Sequence, residues 1–212
     1  MTYDHHIIEA YFDDLTPKQL RQFEQLYAAY AEWNARINVI SRKDFDSLYL
    51  HHVLHSLAIA RVCRFNDGAR IVDVGCGGGF PSVPLAILFP NAKFTAIDSI
   101  RKKITVVDGV CKSVGIENIT TVNARIESID SRFDYVVSRA VTDMKTFVGW
   151  VWKKIEPGQA GTMPNGILYL KGGDLTEELA ATKPIEWQRY PIAEMFDHEF
   201  FETKEVVYAT KK

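Results

Sequence analysis

The densest chemical signal in the chain is Val72-Asp73-Val74-Gly75-Cys76-Gly77-Gly78-Gly79-Phe80-Pro81. An apolar run enters a cluster of glycines, and a second apolar run follows. Glycine meets two needs there. It permits a tight turn, and without a Cβ it lets a ligand lie against the backbone. The spacing narrows the ligand. A dinucleotide fingerprint would place its third glycine where Phe80 stands, and a Walker loop would need a Gly-Lys-Ser/Thr that never comes. Asp98 closes the next apolar run. A carboxylate there can accept hydrogen bonds from both hydroxyls of a ribose, or it can simply cap the helix that begins near Ser99 and Arg101. A third apolar run leads into Asn123-Ala124-Arg125-Ile126-Glu127. In a nucleoside-binding α/β fold this segment lies beside the base; read alone it is an unmarked loop.

These residues need a frame to bring them together. Short apolar runs predict strands over 70–74, 93–97, 119–122, 135–138, 167–170 and 206–208, with a further one over 189–192. Helical spacing appears over 83–88, 101–114 and 143–154. Strands alternating with helices imply a mostly parallel sheet covered on both faces. Upstream, Leu20, Phe23, Leu26, Tyr27, Tyr30 and Trp33 recur at helical spacing, followed by Leu48, Val53, Leu57 and Ala60. Thr16-Pro17 is a helix start, with a capping hydroxyl before proline at the first helical position. The expected organisation is a helical extension over 1–64 and a cofactor-binding domain over 65–212, forming one compact unit. Trp33 reads as core. Asn34 and Asn38 read as one helical turn apart on a shared face.

With 212 residues, 47% hydrophobic and 25% charged, the chain has enough apolar material for a sizeable core. No apolar run approaches the roughly 18 residues of a membrane span. The first ten residues lack the basic and apolar regions of a signal peptide, so a cytoplasmic protein is expected. Cys63, Cys76 and Cys111 have no metal-ligand spacing, and no metal site is expected. A net charge of −2 means that any nucleic-acid partner must be held by a local basic patch. Arg36, Arg42, Lys43, Arg61, Arg64, Arg101, Lys102 and Lys103 could form one if they rim a single side.

The motifs resemble the bacterial small-subunit ribosomal RNA guanine-N7 methyltransferases, the RsmG or GidB family. The resemblance runs through Trp33-Asn34-x-x-x-Asn38-Val39 and His52-x-x-His55-Ser56-Leu57. It continues through Asp73 to Pro81 with Phe80-Pro81 after the glycines, and through Asp98-Ser99 followed by Lys102-Lys103. Arg125-x-Glu127, Ser138-Arg139-Ala140 and Lys171-Gly172 complete it. The chain departs from the family in having His55 where Asp is usual, Ser82 for Gly and Cys76 for Ser or Thr. The 157–165 segment is longer than the usual turn.

The resemblance implies an α/β fold: a Rossmann-like class I methyltransferase sheet with an N-terminal helical extension. It implies S-adenosylmethionine as cofactor, with S-adenosylhomocysteine as product. Asp73, Gly75, Cys76, Gly77, Phe80, Asp98, Ile126, Glu127 and Arg139 are the expected cofactor contacts. Arg139, Arg125, Lys171 and His52 are the expected catalytic positions. Arg125 and Lys171 have solvated surface charge as their alternative reading, and His52 a packed core histidine. The implied substrate is 16S ribosomal RNA, within the small subunit or an assembly intermediate, acted on by a monomer with no membrane partner. Guanine N7 carries a lone pair and no proton, so no general base is needed, and alignment at about 3 Å can carry the catalysis. No Asn/Asp-Pro-Pro-Tyr/Phe motif or Pro-Cys nucleophile is present. Three other readings stay open: methylation of a small molecule or protein, a non-catalytic RNA-binding protein, and a nicotinamide oxidoreductase, which Phe80 opposes.

Overall fold

The computed structural model describes residues 3–211. Its centre is a seven-stranded sheet in the order β3-β2-β1-β4-β5-β7-β6. The strands are β1 (Arg70–Val74), β2 (Lys93–Asp98), β3 (Ile119–Asn123), β4 (Tyr135–Arg139), β5 (Gly166–Gly172), β6 (Gln188–Pro191) and β7 (Lys204–Thr210). The first five are parallel; β7 runs antiparallel to β5, and β6 antiparallel to β7. The helices are α1 (His6–Glu9), α2 (Pro17–Asn34), α3 (His55–Val62), α4 (Ser82–Leu88), α5 (Arg101–Val114), α6 (Met144–Val151) and α7 (Thr176–Ala180). Each strand expected from the sequence is present.

Alternation along the strands divides the core in two. Ile71, Tyr135, Val137, Leu168 and Tyr208 face one side, packed with Phe23, Leu26 and Tyr30 of α2, Leu57 of α3 and residues of α4 and α5. Val72, Val136, Ile167, Tyr169 and Val207 face the other, against Met144, Phe147 and Val151 of α6 and Leu179 of α7. Residues 1–64 therefore supply much of one layer of the sheet's cover. The Thr16 hydroxyl caps α2 as expected, and Gln19 completes a capping box: the Gln19 N–H donates to Thr16 Oγ1 at 3.3 Å, and the Thr16 N–H donates to Gln19 Oε1 at 2.8 Å. Gln19 Nε2 also donates to the Ile87 carbonyl of α4 at 2.9 Å, so the cap ties two helices together. Thr16→Ala is expected to cost about 1 kcal/mol of stability. Thermal unfolding would then fall by about 2–4 °C; an unchanged midpoint would remove the cap from the account.

Several boundaries differ from expectation. The stretch 143–154 is not one helix. Asp143 is the N-cap of α6, accepting from the Thr146 N–H at 2.9 Å, and Trp152–Lys154 is a separate 3₁₀ turn. Asn38 lies beyond the end of α2, so it shares no helical face with Asn34. Asn34 instead caps the turn, its Oδ1 accepting from the Val39 and Ile40 N–H groups at 2.8 and 3.0 Å. The run leading into α3 opens as a π-helix over Leu48–Leu54, which apolar spacing cannot tell from α. Trp33 is half-buried at the edge of the core and packs against α5, where a Cβ on Gly109 would stand 2.0 Å from its ring.

The 157–165 segment has a structural role. It folds back on the chain after α3, with the Asn66 N–H donating to the Ala160 carbonyl at 2.9 Å and the Thr162 N–H to the Arg64 carbonyl at 2.9 Å. Tyr208 Oη donates to the Pro164 carbonyl at 2.7 Å. The segment thus closes the end of the sheet opposite the strand C-termini. Among the described residues no helix is long and apolar enough to cross a membrane.

Candidate functional site: a nucleoside pocket beside a histidine–arginine cluster

The strand order reverses between β1 and β4, and open α/β sheets bind ligands outside the strand C-termini at such a point. A cavity of about 410 Å³ lies there, walled by Val74, Gly75, Ile97, Asp98, Ala124, Arg125, Ile126, Glu127, Ala140, Val141 and Trp150, among others. Its size suits a small-molecule cofactor. A groove of about 1010 Å³ between Trp152, Trp187 and the end of β7 includes none of the C-terminal residues of the parallel strands β1 to β5.

The glycine loop is shaped by backbone requirements. Gly75 has φ +71°, and a Cβ there would stand 2.4 Å from Val141. Gly77 has φ +56°, yet a Cβ would meet no protein atom within 4 Å, so its face is open to a ligand. The Gly75 and Cys76 N–H groups donate to the Ile97 carbonyl at 2.8 and 3.0 Å, pinning the loop over β2. From the helical layer, Tyr30 Oη donates to the Gly78 carbonyl at 2.7 Å.

Asp98 is 6% exposed. Its carboxylate accepts from the Gly77 N–H at 3.1 Å and the Ile100 N–H at 2.8 Å, and Lys103 Nζ stands 3.6 Å away. Asp98 is not the cap of α5, whose N-cap is Ile100; its carboxylate closes the two-residue turn that leads into the helix. A carboxylate has about four lone-pair positions, so capacity remains for a vicinal diol. Ile126 is buried in the cavity wall; Arg125 and Glu127 are exposed at its rim. Trp150, on α6, is a wall residue that strand-end logic had no means of finding.

The remaining expected contacts sit outside that wall. Asp73 is fully buried beneath the loop. Its Oδ2 accepts from the Ser82 N–H at 3.0 Å, its Oδ1 has no partner, and burial pushes its pKa up to about 7. The Cys76 side chain is buried, with its thiol pushed well up by burial, so only its backbone shapes the pocket. Phe80 stacks on Tyr30 with ring centroids 4.9 Å apart, and the Arg139 guanidinium carbon lies 5.3 Å from the Phe80 centroid.

Arg139 joins the loop to the helical layer. Its Nη1 donates to the His51 carbonyl at 3.0 Å, and its Nη2 lies 2.9 Å from His52 Nδ1. Burial lowers its pKa to about 10, which leaves it charged at neutral pH. Two of its five N–H groups are thereby engaged and three remain for a ligand. His52 is neutral, its pKa pushed down to about 4 by burial and by the Arg139 cation. His55 is buried edge-on to Phe200 and Phe201, with its Nε2 unpartnered and its pKa well below the ordinary value because of burial. It is a packing residue; the carboxylate of this neighbourhood is Asp44.

Lys171 is tethered. Its Nζ donates to Glu178 Oε1 at 2.6 Å and to the Thr142 carbonyl at 3.0 Å. Tyr169 Oη accepts from the Val141 and Thr142 N–H groups at 2.8 and 3.3 Å. Together they clamp the loop after β4, where Ala140 is held at φ +53° in the cavity wall. Such a conformation in a residue other than glycine persists only where its surroundings impose it. Tyr169→Phe leaves two N–H groups short of an acceptor. A stability loss of about 1–3 kcal/mol is expected, with weaker cofactor binding. Wild-type values for both, in urea unfolding and calorimetry, would deny the clamp its role.

The basic residues do not share one rim. Arg64 pairs with Asp14 at 3.4 Å and lines a separate cavity with Arg61 and Thr162, at the far end of the strands. Arg36 pairs with Glu32 at 3.0 Å. Arg42, Lys43, Arg101 and Lys102 are exposed.

The pocket fits a methionine-linked nucleoside. Asp98, in its wall, can take a ribose diol, and a Cβ on Gly77 would meet only open space. Comparison with known proteins agrees. The family described as rRNA small subunit methyltransferase G (GidB) matches residues 19–202. A ribosomal RNA small subunit methyltransferase G of Cytophaga hutchinsonii is 54% identical, covering 95% of this chain and 97% of its own length. That of Bacteroides thetaiotaomicron is 50% identical, with coverages of 96% and 98%. Among solved structures, a SAM-dependent O-methyltransferase from Thermotoga maritima shares the fold at a TM-score of 0.57 and 18% identity, covering 89% of this chain and 72% of its own. A precorrin-6y C5,15-methyltransferase from Geobacter metallireducens gives 0.54 at 16% identity, with coverages of 83% and 92%. With the sheet order, the glycine loop and the family match all in agreement, the chain belongs to the rRNA small subunit methyltransferase G family.

Proposed function

We propose that this protein transfers a methyl group from S-adenosylmethionine to N7 of a guanine in 16S ribosomal RNA. It would act in the cytoplasm, as a monomer, on the small subunit or an assembly intermediate. The observation that carries the reading is the adjacency of two kinds of site. A nucleoside-sized cavity ends at Ala140 and Val141, and the next residue back along the chain, Arg139, is a half-buried cation with free donors.

The cofactor supplies an electrophilic methyl on a sulfonium. Asp98 accepts the ribose hydroxyls, while Ile126 and Trp150 flank the base. Asp73, Gly75, Gly77 and the Cys76 backbone shape the methionine end, with Glu127 at the rim. Arg139 donates to guanine O6 and leaves the N7 lone pair free. Ordinary arginine readout takes O6 and N7 together; here that would block the acceptor. N7 has no proton to lose, so neither His52 nor Asp73 is needed as a base. His52 orients Arg139, Lys171 holds the loop after β4, and Arg125 at the rim contacts phosphate. The acceptor must be unstacked or already in a loop to reach the pocket. Residues 1–64 serve as part of the catalytic unit, through Tyr30 on the glycine loop and His51 and His52 on Arg139.

The test incubates the protein with methyl-labelled S-adenosylmethionine and small subunits from cells lacking it, followed by nucleoside mass spectrometry. Labelled N7-methylguanosine is expected. A different labelled nucleoside overturns the N7 assignment, and label in protein or small molecules alone overturns the RNA reading.

A further inference from the structure

Asp44 belongs to no strand end and to no motif. It precedes a short 3₁₀ turn, Phe45–Ser47, at the head of the π-helix Leu48–Leu54. π-Helical turns are rare and concentrate at functional sites. This one presents two successive histidines to a single carboxylate. Asp44 Oδ1 lies 2.5 Å from His51 Nδ1, and Asp44 Oδ2 lies 2.5 Å from His52 Nε2.

The protons in this cluster have a forced arrangement. A guanidinium can only donate, so the 2.9 Å contact from Arg139 Nη2 makes His52 Nδ1 an acceptor. The ring is neutral and carries one proton, which must then sit on Nε2 and point at Asp44. His51 is stacked flat on Phe200, with centroids 3.8 Å apart and planes 13° from parallel, and its carbonyl accepts from Arg139 Nη1 at 3.0 Å. Both groups that hold Arg139 are thus tied to the same carboxylate.

We propose that Asp44 is a positioning residue for methyl transfer: by accepting the Nε2 proton of His52 and anchoring His51, it sets the two acceptors that aim Arg139. The proposal rests on the reading of Arg139 as the group that holds the acceptor guanine. It requires a hydrogen-bond acceptor at position 44 and does not require a charge. Asparagine can accept from His52 Nε2 through its amide oxygen and donate to His51 Nδ1 through its NH₂. Alanine can do neither.

The test compares the full-length wild type with Asp44→Ala and Asp44→Asn, using small subunits and S-adenosylmethionine. Asp44→Ala is expected to lower kcat about 10- to 100-fold, the range for a misaimed group. Its KM for subunits and its Kd for S-adenosylhomocysteine should move less than about threefold. Asp44→Asn should stay within about threefold of wild type in all of these. In ¹⁵N-histidine-labelled protein, the His52 Nε2 proton, identified by its absence in His52→Gln, should be protected and downfield in wild type and Asp44→Asn. It should be lost in Asp44→Ala. Wild-type kcat in Asp44→Ala overturns the proposal, as does Asp44→Asn falling as far as Asp44→Ala in rate or in folding. A wild type that makes no N7-methylguanosine would sink the functional reading alone, and the imidazole proton would still decide whether Asp44 fixes His52.

Discussion

Arg139→Ala lowers the rate of methyl transfer to small subunits by about 10²–10³-fold, the usual loss when one oriented donor is taken from a reacting centre. The loss should fall in kcat/KM for RNA and leave S-adenosylhomocysteine affinity nearly intact. The side chain lies outside the nucleoside cavity, which Ala140 and Val141 line instead. Arg139→Lys is expected to rescue little. Lysine keeps a charge, but it cannot donate in one plane to the His51 carbonyl and to His52 Nδ1 while keeping N–H groups free for a base. The buried surroundings sharpen the effect, because Phe80 on one side and the histidines on the other keep water from replacing the guanidinium. The measurement is single-turnover transfer with saturating cofactor. Near-wild-type turnover in Arg139→Ala would remove Arg139 from the acceptor site and leave the cofactor pocket unaffected.

How much of this was legible beforehand follows from the range of each interaction. That Gly75, Asp98 and Ile126 come together in one cavity wall was readable because the strands announce themselves as apolar runs and the fold brings the ends of successive parallel strands side by side. The division of β4 into Tyr135 and Val137 on one face and Val136 on the other is period-two alternation, local by nature. Trp150, Tyr169 and Asp44 were not readable. Each acts on residues far away in sequence: Trp150 closes a cavity built from strands β1 to β4, Tyr169 holds a loop that begins at Ala140, and Asp44 reaches Arg139 only through His51 and His52. The basic residues failed for the same reason. Arg61 stands on the helical run that also carries His52, with Arg64 just past its end, but α3 travels from the site to the opposite end of the sheet and carries them away from it. Spacing gives the face of a helix; which end of it nears the site depends on where the chain enters the fold. Asp143 shows the limit at a single residue. Its apolar neighbours suggest helix, while its carboxylate satisfies the free Thr146 N–H and so makes it the cap.

Asp98→Ala is expected to weaken S-adenosylhomocysteine binding by about 10²–10⁴-fold. Two hydrogen bonds to a charged acceptor contribute about 1.5–3 kcal/mol each, and each 1.4 kcal/mol is about tenfold in Kd. The substitution also removes the acceptor for the Gly77 and Ile100 N–H groups, so part of any loss could come from a loosened glycine loop. A ligand variant separates the two contributions. S-adenosylhomocysteine lacking its ribose 2′-hydroxyl should bind wild type more weakly than the parent compound, yet Asp98→Ala should barely distinguish the pair, because the partner of that hydroxyl is gone. If the two ligands still differ in Asp98→Ala as they do in wild type, Asp98 shapes the loop and does not hold the ribose. The cavity would then owe its selectivity to Ile126 and Trp150 around the base. If Asp98→Ala binds the parent ligand as wild type does, the cavity beside β2 is not where the nucleoside lies, and the case for the cofactor's position falls with it.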